Sequence, residues 1–177
     1  MRIVLESERL LFRPHLITDM DDFCAMEMDI DVRRYVGGYP RSREAAEQRF
    51  PRDQPTSITD RLSLYAVVLK DQHLYVGRSG LYPSIAPDGG TIAGEANLSF
   101  YIARKYWGQG FATEAGRAFI DVGFHQFALE RIVTSVQEGN DASMRVLQKL
   151  GFEVDYIEKG QRTFYHFTLR SPNVVHG

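Results

Sequence analysis

Lys105-Tyr106-Trp107-Gly108-Gln109-Gly110-Phe111-Ala112-Thr113-Glu114 is the stretch that decides how this chain is read. It joins an extended apolar segment, residues 98–103, to a helical one, residues 111–124. Two glycines one residue apart let the backbone come close to a ligand at that junction. The helix behind them points free N–H groups and a positive dipole end into the turn. Strand, glycine turn and helix start together form an anion site, most often one for phosphate. The P-loop pattern is absent. Thr113 stands where a dinucleotide fingerprint has its third small residue, and the strand before the turn does not open a βαβ unit. A plain strand-to-helix connection without a ligand is the remaining alternative.

Upstream, residues 62–69, 74–82 and 93–102 read as strands joined by short turns, with residues 83–90 as a turn or exposed loop, which predicts an antiparallel meander. Downstream, Phe111, Ala115, Ala118, Phe119 and Val122 recur at helical spacing. Residues 132–136 form a β-branched strand. Asn140 caps a helix carrying Met144, Leu147 and Leu150, and Gly151 fits its C′ position. Residues 152–157 and 163–169 make a closing hairpin. Near the start, residues 10–13 read as a strand. Thr18 reads as the N-cap of a helix to about Met28, with Phe23, Met26 and the Ile30 region inward. Gly37-Gly38-Tyr39-Pro40 breaks the chain, Ser42 caps a helix over 43–50, and residues 51–60 read as a loop. The fold class is α/β of the α+β type, with a mixed, mostly antiparallel twisted sheet of about six or seven strands flanked by about four helices. Residues 1–177 read as a single domain.

At 44% hydrophobic and 25% charged residues the composition is that of a globular protein. The net charge of −2 offers no basic field for nucleic acid. No apolar run is long enough to span a membrane, and the first residues reach charge too soon for a secretory signal. The lone Cys24, read as a small apolar residue on a helix face, points to a reducing, cytoplasmic setting. The five histidines show no metal-ligand spacing, so no metal is expected.

The motif around the turn resembles the GNAT N-acetyltransferase superfamily in its RimJ/RimL-like branch, which acetylates protein N-termini and other amines. The superfamily signature [Q/R]-x-x-G-x-[G/A] appears here as Lys105-Tyr106-Trp107-Gly108-Gln109-Gly110, with Lys105 departing at the first position. Asn140-Asp-Ala-Ser143-Met-Arg-Val-Leu-Gln-Lys149-Leu-Gly-Phe152 is similar to the branch pattern N-x-x-S-x-x-v-l-x-K-x-G-F. The opening Glu8-Arg9-Leu10-Leu-Phe-Arg13-Pro14 and the Pro40-Arg-Ser-Arg-Glu-Ala45 segment also resemble it, so the likeness covers nearly the whole chain.

The resemblance implies a sheet splayed in the middle to admit CoA, with acetyl-CoA as co-substrate and an amine as acceptor, either a protein N-terminal amine or a small molecule. Pairing of two copies is left open. It implies that the pantetheine arm bonds backbone groups around Phe100, Tyr101 and Ile102, one N–H facing the thioester oxygen. The pyrophosphate is implied to rest on the N–H groups of Gly108, Gln109, Gly110, Phe111, Ala112 and Thr113, with charge from Arg104 and Lys105. Asn140 and Lys149 join the cofactor set. Many relatives carry a Tyr seven residues after the Asn to protonate the thiolate; here that position is Leu147. Ser143 is the residue resembling the one that contacts the CoA sulfur, with a second capping hydroxyl as the alternative. Where relatives place a general base, this chain has Asn97, which cannot accept a proton. Glu95, on the same strand face, is the base candidate, set against a solvent-facing charge or a reaction served by water alone. Tyr35, Tyr39 and Arg41 are candidates for the acceptor site, and Trp107 reads as packing under the turn. A CoA-binding sensor that has lost catalysis is the alternative function.

Overall fold

The computed structural model describes residues 3–51 and 62–172; the loop expected over 51–60 lies, apart from Pro51, outside the described residues. Its strands are β1 (Leu5–Glu6), β2 (Leu10–Arg13), β3 (Leu64–Leu69), β4 (Tyr75–Ile85), β5 (Thr91–Ile102), β6 (Arg131–Gln137), β7 (Glu153–Glu158) and β8 (Phe164–Arg170). They form one eight-stranded sheet in the order β1-β2-β3-β4-β5-β6-β8-β7. The α-helices among the described residues are α1 (Met20–Met28), α2 (Ile30–Arg33), α3 (Arg43–Gln48), α4 (Phe111–His125) and α5 (Asp141–Lys149). The mixed class and the antiparallel meander match the sequence reading. Strand and helix numbers exceed it by the two-residue β1 and the four-residue α2, which are too short to carry a periodicity.

The middle of the sheet is covered on both faces. In β3, Tyr65 and Val67 join Phe12, Phe119 and Leu147 on the side of α4 and α5. Ala66 and Val68 join Leu11, Phe23 and Ala46 on the side of α1 and α3. That two-sided burial is why residues 64–69 are a continuous apolar run instead of an alternating one. Phe119 is the centre of the α4 face: its ring meets Phe12 edge-on at 4.9 Å and stacks on Tyr65 at 6.1 Å. Gly116, also on α4, faces α5 so closely that a Cβ there would lie 2.6 Å from a Leu150 methyl.

Three local expectations are corrected. Thr18 does not cap α1; it sits inside a 3-10 turn, Ile17–Asp19, and Asp19 holds the N-cap position without a side-chain cap bond. The Asp19 carboxylate is used elsewhere, accepting two bonds from the buried Arg13 guanidinium at 2.6 and 2.8 Å and the Leu16 N–H at 2.7 Å. A buried bidentate ion pair outweighs a solvent-exposed cap. Ile30 is 48% exposed, because the chain is extended at Asp29 and α2 begins with a new phase. Pro83 lies inside β4, where a register shift between Pro83 and Ile85 accommodates its missing N–H, so the turn begins only at Ala86. Elsewhere the caps agree: Ser42 Oγ accepts the Ala45 N–H, Asn140 Oδ1 accepts the Ser143 N–H, and Gly151 has φ +86° after α5. No helix among the described residues is long and apolar enough to cross a membrane.

Replacing Phe119 by Ala removes the ring that joins β2, β3 and α4. A loss of roughly 3–5 kcal/mol is expected, read as a lowered midpoint in urea unfolding with an unchanged slope.

Candidate functional site

β5 and β6 are the one parallel neighbour pair in the sheet, and they pair only at Glu95, Ala96 and Asn97 against Arg131, Ile132 and Val133. Both then continue, to Ile102 and to Gln137, without a partner between them. Beside the end of β5, where it has parted from β6, lies a cleft of about 490 Å³. Its walls are the end of β5, the glycine turn with the first turn of α4, the first turns of α5, and α2 with the residues just after it. Ala103 donates its N–H to Val76 on β4. By strand alternation the peptide groups of Tyr101 also turn toward β4, while those of Phe100 and Ile102 turn toward the gap. The Ile102 carbonyl is taken by the Trp107 indole N–H at 2.6 Å. Trp107 is 46% exposed and lines the cleft, so it does not pack under the turn.

Gly108 and Gly110 have φ of +76° and +85°, backbone conformations that favour glycine. A Cβ at Gly108 would meet nothing within 4 Å, so the turn is open on that side. Glu114 is the first amide after the turn with a helical bond, to the Gly110 carbonyl. The N–H groups of Phe111, Ala112 and Thr113 precede it, have no carbonyl behind them, and belong to residues lining the cleft. A pyrophosphate fits that donor set.

The turn is braced from behind. Glu114 accepts the Ser7 hydroxyl, the Arg9 N–H and the Arg9 Nε, each at 2.7 Å. Arg9 also donates to the Gln109 carbonyl at 3.1 Å and lies over the Phe111 ring at 4.5 Å. Burial pushes the Glu114 carboxyl up, but these donors outweigh it and hold it below the usual carboxylate value.

On the opposite wall Asn140, Ser143 and Lys149 all line the cleft. Asn140 supplies the cap; Ser143 contributes only its N–H to that cap, and its hydroxyl makes no hydrogen bond among the described residues. Sequence reasoning missed Arg145, which lies one turn before Lys149 and lines the cleft with it; their four-residue spacing was the available signal. It also missed Asp31 and Arg34 of the α2 region, where the helix is too short to be seen.

Most of the other expected site residues stand away from the cleft lining. Glu95 is buried and bound to the Arg131 guanidinium, across from it on β6, so it neither faces solvent nor lines the cleft. Asn97 donates to Ser84 at 2.8 Å. Lys105 points outward, 3.9 Å from Asp22 and over the Tyr106 ring, and the Gln109 side chain returns to the Lys105 carbonyl. Of the acceptor candidates Tyr35 lines the cleft, Tyr39 is 74% exposed outside it, and Arg41 is bound to Glu27 at 2.8 Å. Among the described residues no group of His, Cys, Asp and Glu is placed to hold a metal ion.

Residues 9–153 match the family model for the acetyltransferase (GNAT) domain. An uncharacterized N-acetyltransferase, p20, from Bacillus licheniformis is 27% identical over 150 residues, covering 84% of this chain and 82% of its own. The fold is similar to an acetyltransferase of the GNAT family from Bacillus anthracis, with a TM-score of 0.80 at 21% identity over 94% of this chain and 97% of that one. It is likewise similar to RimL, a ribosomal α-N-protein acetyltransferase solved with coenzyme A, with a TM-score of 0.75 at 14% identity over 96% and 98% of the two chains.

Because the Glu114 carboxyl is depressed in the folded state, its contribution is complete above the ordinary carboxylate pKa and is lost as pH falls through the lowered one. Wild type is therefore expected to exceed Glu114→Gln in urea midpoint at neutral pH, with the gap closing on acidification. A gap independent of pH would remove the charged brace.

Proposed function

The chain belongs to the GNAT acetyltransferase family, and on that footing we propose that it transfers an acetyl group from acetyl-CoA directly to a primary amine, either a protein N-terminal amine or a small-molecule amine. The observation that carries this is the placement of one cleft between a helix-start anion turn and the unpaired edge of β5. Phosphates and an extended amide-bearing arm need those two surfaces side by side. The amides of Phe111, Ala112 and Thr113 take the pyrophosphate, and Arg145 and Lys149 add cationic donors from α5. The peptide groups of Phe100 and Ile102 take the pantetheine arm as an added strand.

Held there, the thioester meets the amine in a fixed geometry, which supplies a large part of the rate. The amine nitrogen attacks the thioester carbon and a C–N bond forms. A backbone N–H on the open edge of β5 stabilises the oxyanion. Collapse breaks the C–S bond; the Ser143 hydroxyl, which has no hydrogen bond among the described residues, donates one to the departing thiolate, and the thiolate takes its proton from water. The nitrogen's proton leaves to water, since the Glu95 carboxylate is engaged with Arg131. Near the thioester the chain supplies alignment and hydrogen bonds and leaves the base to solvent.

Acetyl-CoA with a panel of amines and peptides in a thiol-release assay tests this; tight donor binding with no acceptor-dependent CoA release would make the chain a CoA sensor instead. Ser143→Ala is expected to lower kcat by about 100-fold with little change in the acetyl-CoA KM. An equal loss in both would reduce Ser143 to a structural residue. Gly110→Glu places a side chain at φ +85° and a negative charge at the phosphate turn, and acetyl-CoA binding is expected to disappear in calorimetry.

A further inference from the structure

Two carboxylates on the α1–α2 side of the cleft are surrounded by five arginines. Glu27, with its side chain 3% exposed, pairs with Arg78 at 2.6 Å, Arg41 at 2.8 Å and Arg33 at 3.4 Å. Asp31 pairs with Arg34 at 2.6 Å and Arg104 at 2.8 Å. In a chain of net charge −2, this corner carries more positive than negative charge. Asp31 and Arg34 line the cleft beside the glycine turn, where the phosphates of the proposed donor would meet their charge.

The Glu27 group does not border that turn. Arg78 lies across from Tyr101 on the neighbouring strand, its guanidinium over the Tyr101 ring at 4.5 Å and the Phe23 ring at 5.0 Å. Tyr101 is part of the cleft wall at the end of β5. One carboxylate cannot neutralise three guanidiniums, and burying unmatched charge is unfavourable. The burden is visible at Arg33, whose pKa is lowered by burial and by the neighbouring Arg41 and Arg78 cations. Arg41 and Arg78 keep side-chain exposures of 25% and 15%, so a ligand can reach the group from outside.

We propose that the acceptor is an amine carrying a carboxylate of its own, seated against Arg41 and Arg78 beside Tyr101. This rests on the acetyltransferase reading and narrows its substrate class. The anionic group completes the charge balance around Glu27 and holds the amine at the thioester end of the cleft. A free amino-acid carboxylate and an acidic residue next to a peptide's N-terminal amine share this chemistry.

The test uses matched acceptors in the thiol-release assay: amino acids against their carboxamides, and short peptides with Asp against Asn beside the amine. The acid member of at least one series is expected to have a kcat/KM higher by about tenfold or more, and that series identifies the source of the carboxylate. In Arg41→Gln the acid-to-amide ratio is expected to fall to near one through acceptor KM. Arg41 as a brace alone would lower the melting temperature and leave the ratio unchanged, which overturns the proposal. Equal use of acid and amide by wild type overturns it too, while acetyl transfer itself stands. Transfer to no amine refutes the acetyltransferase reading instead. The anion site is then read by calorimetry with succinate: binding to wild type lost in Arg41→Gln supports it, and no binding overturns it.

Discussion

A sheet that stops pairing in its middle must answer for every N–H and C=O it leaves exposed. β5 and β6 hold each other through three residues and then part, so the last turns of both strands carry hydrogen-bonding edges inside the molecule. Such edges are costly when dry and unpaired, and proteins cover them or give them a partner. Here the Ile102 carbonyl is covered by the Trp107 indole, and the end of β5 faces a cleft. The glycine turn, the start of α5 and the position of α2 all follow from where that opening lies. A parallel pair in an otherwise antiparallel sheet needs a crossover, and α4 is that crossover. Its N-terminus is therefore delivered to the mouth of the gap by topology alone.

Much of this was legible in the sequence because the relevant signals are local. The φ > 0 glycines at 108 and 110, the Asn140 cap and the apolar stripe of α4 each follow from a few adjacent residues. Phe100, Tyr101, Ile102, Ser143 and Lys149, which line the cleft, were named by the family resemblance and not by local signals. What the sequence hid is long-range pairing of charge. Glu95 sits where a base would be looked for, yet Arg131 stands opposite it on β6 and claims it. Thr18 has the right side chain for a cap, but Arg13 draws Asp19 back and moves the helix start. Arg41 lies among the residues suited to the acceptor, and only the fold reveals that a buried Glu27 gathers it with Arg33 and Arg78. In each case an ion pair between separate elements decided what a spacing rule could not see.

The two faces of the sheet divide the labour. The face under α4 and α5 is apolar, with Phe119 and Leu147 fully enclosed, and it packs the two helices whose first turns line the cleft against the sheet. The face under α1 and α3 holds the smaller core and, beside Phe23, the arginine group around Glu27. Rigid apolar packing thus stands behind one face of the sheet, and paired charge behind part of the other.

Arg9 and Glu114 lie 105 positions apart, yet they meet directly behind the glycine turn. The turn is therefore not a self-contained module that works wherever its ten letters occur. A fragment beginning after Arg9 would display the full signature and still lack the hand that shapes it. The anion cradle is a property of two distant segments closing on each other.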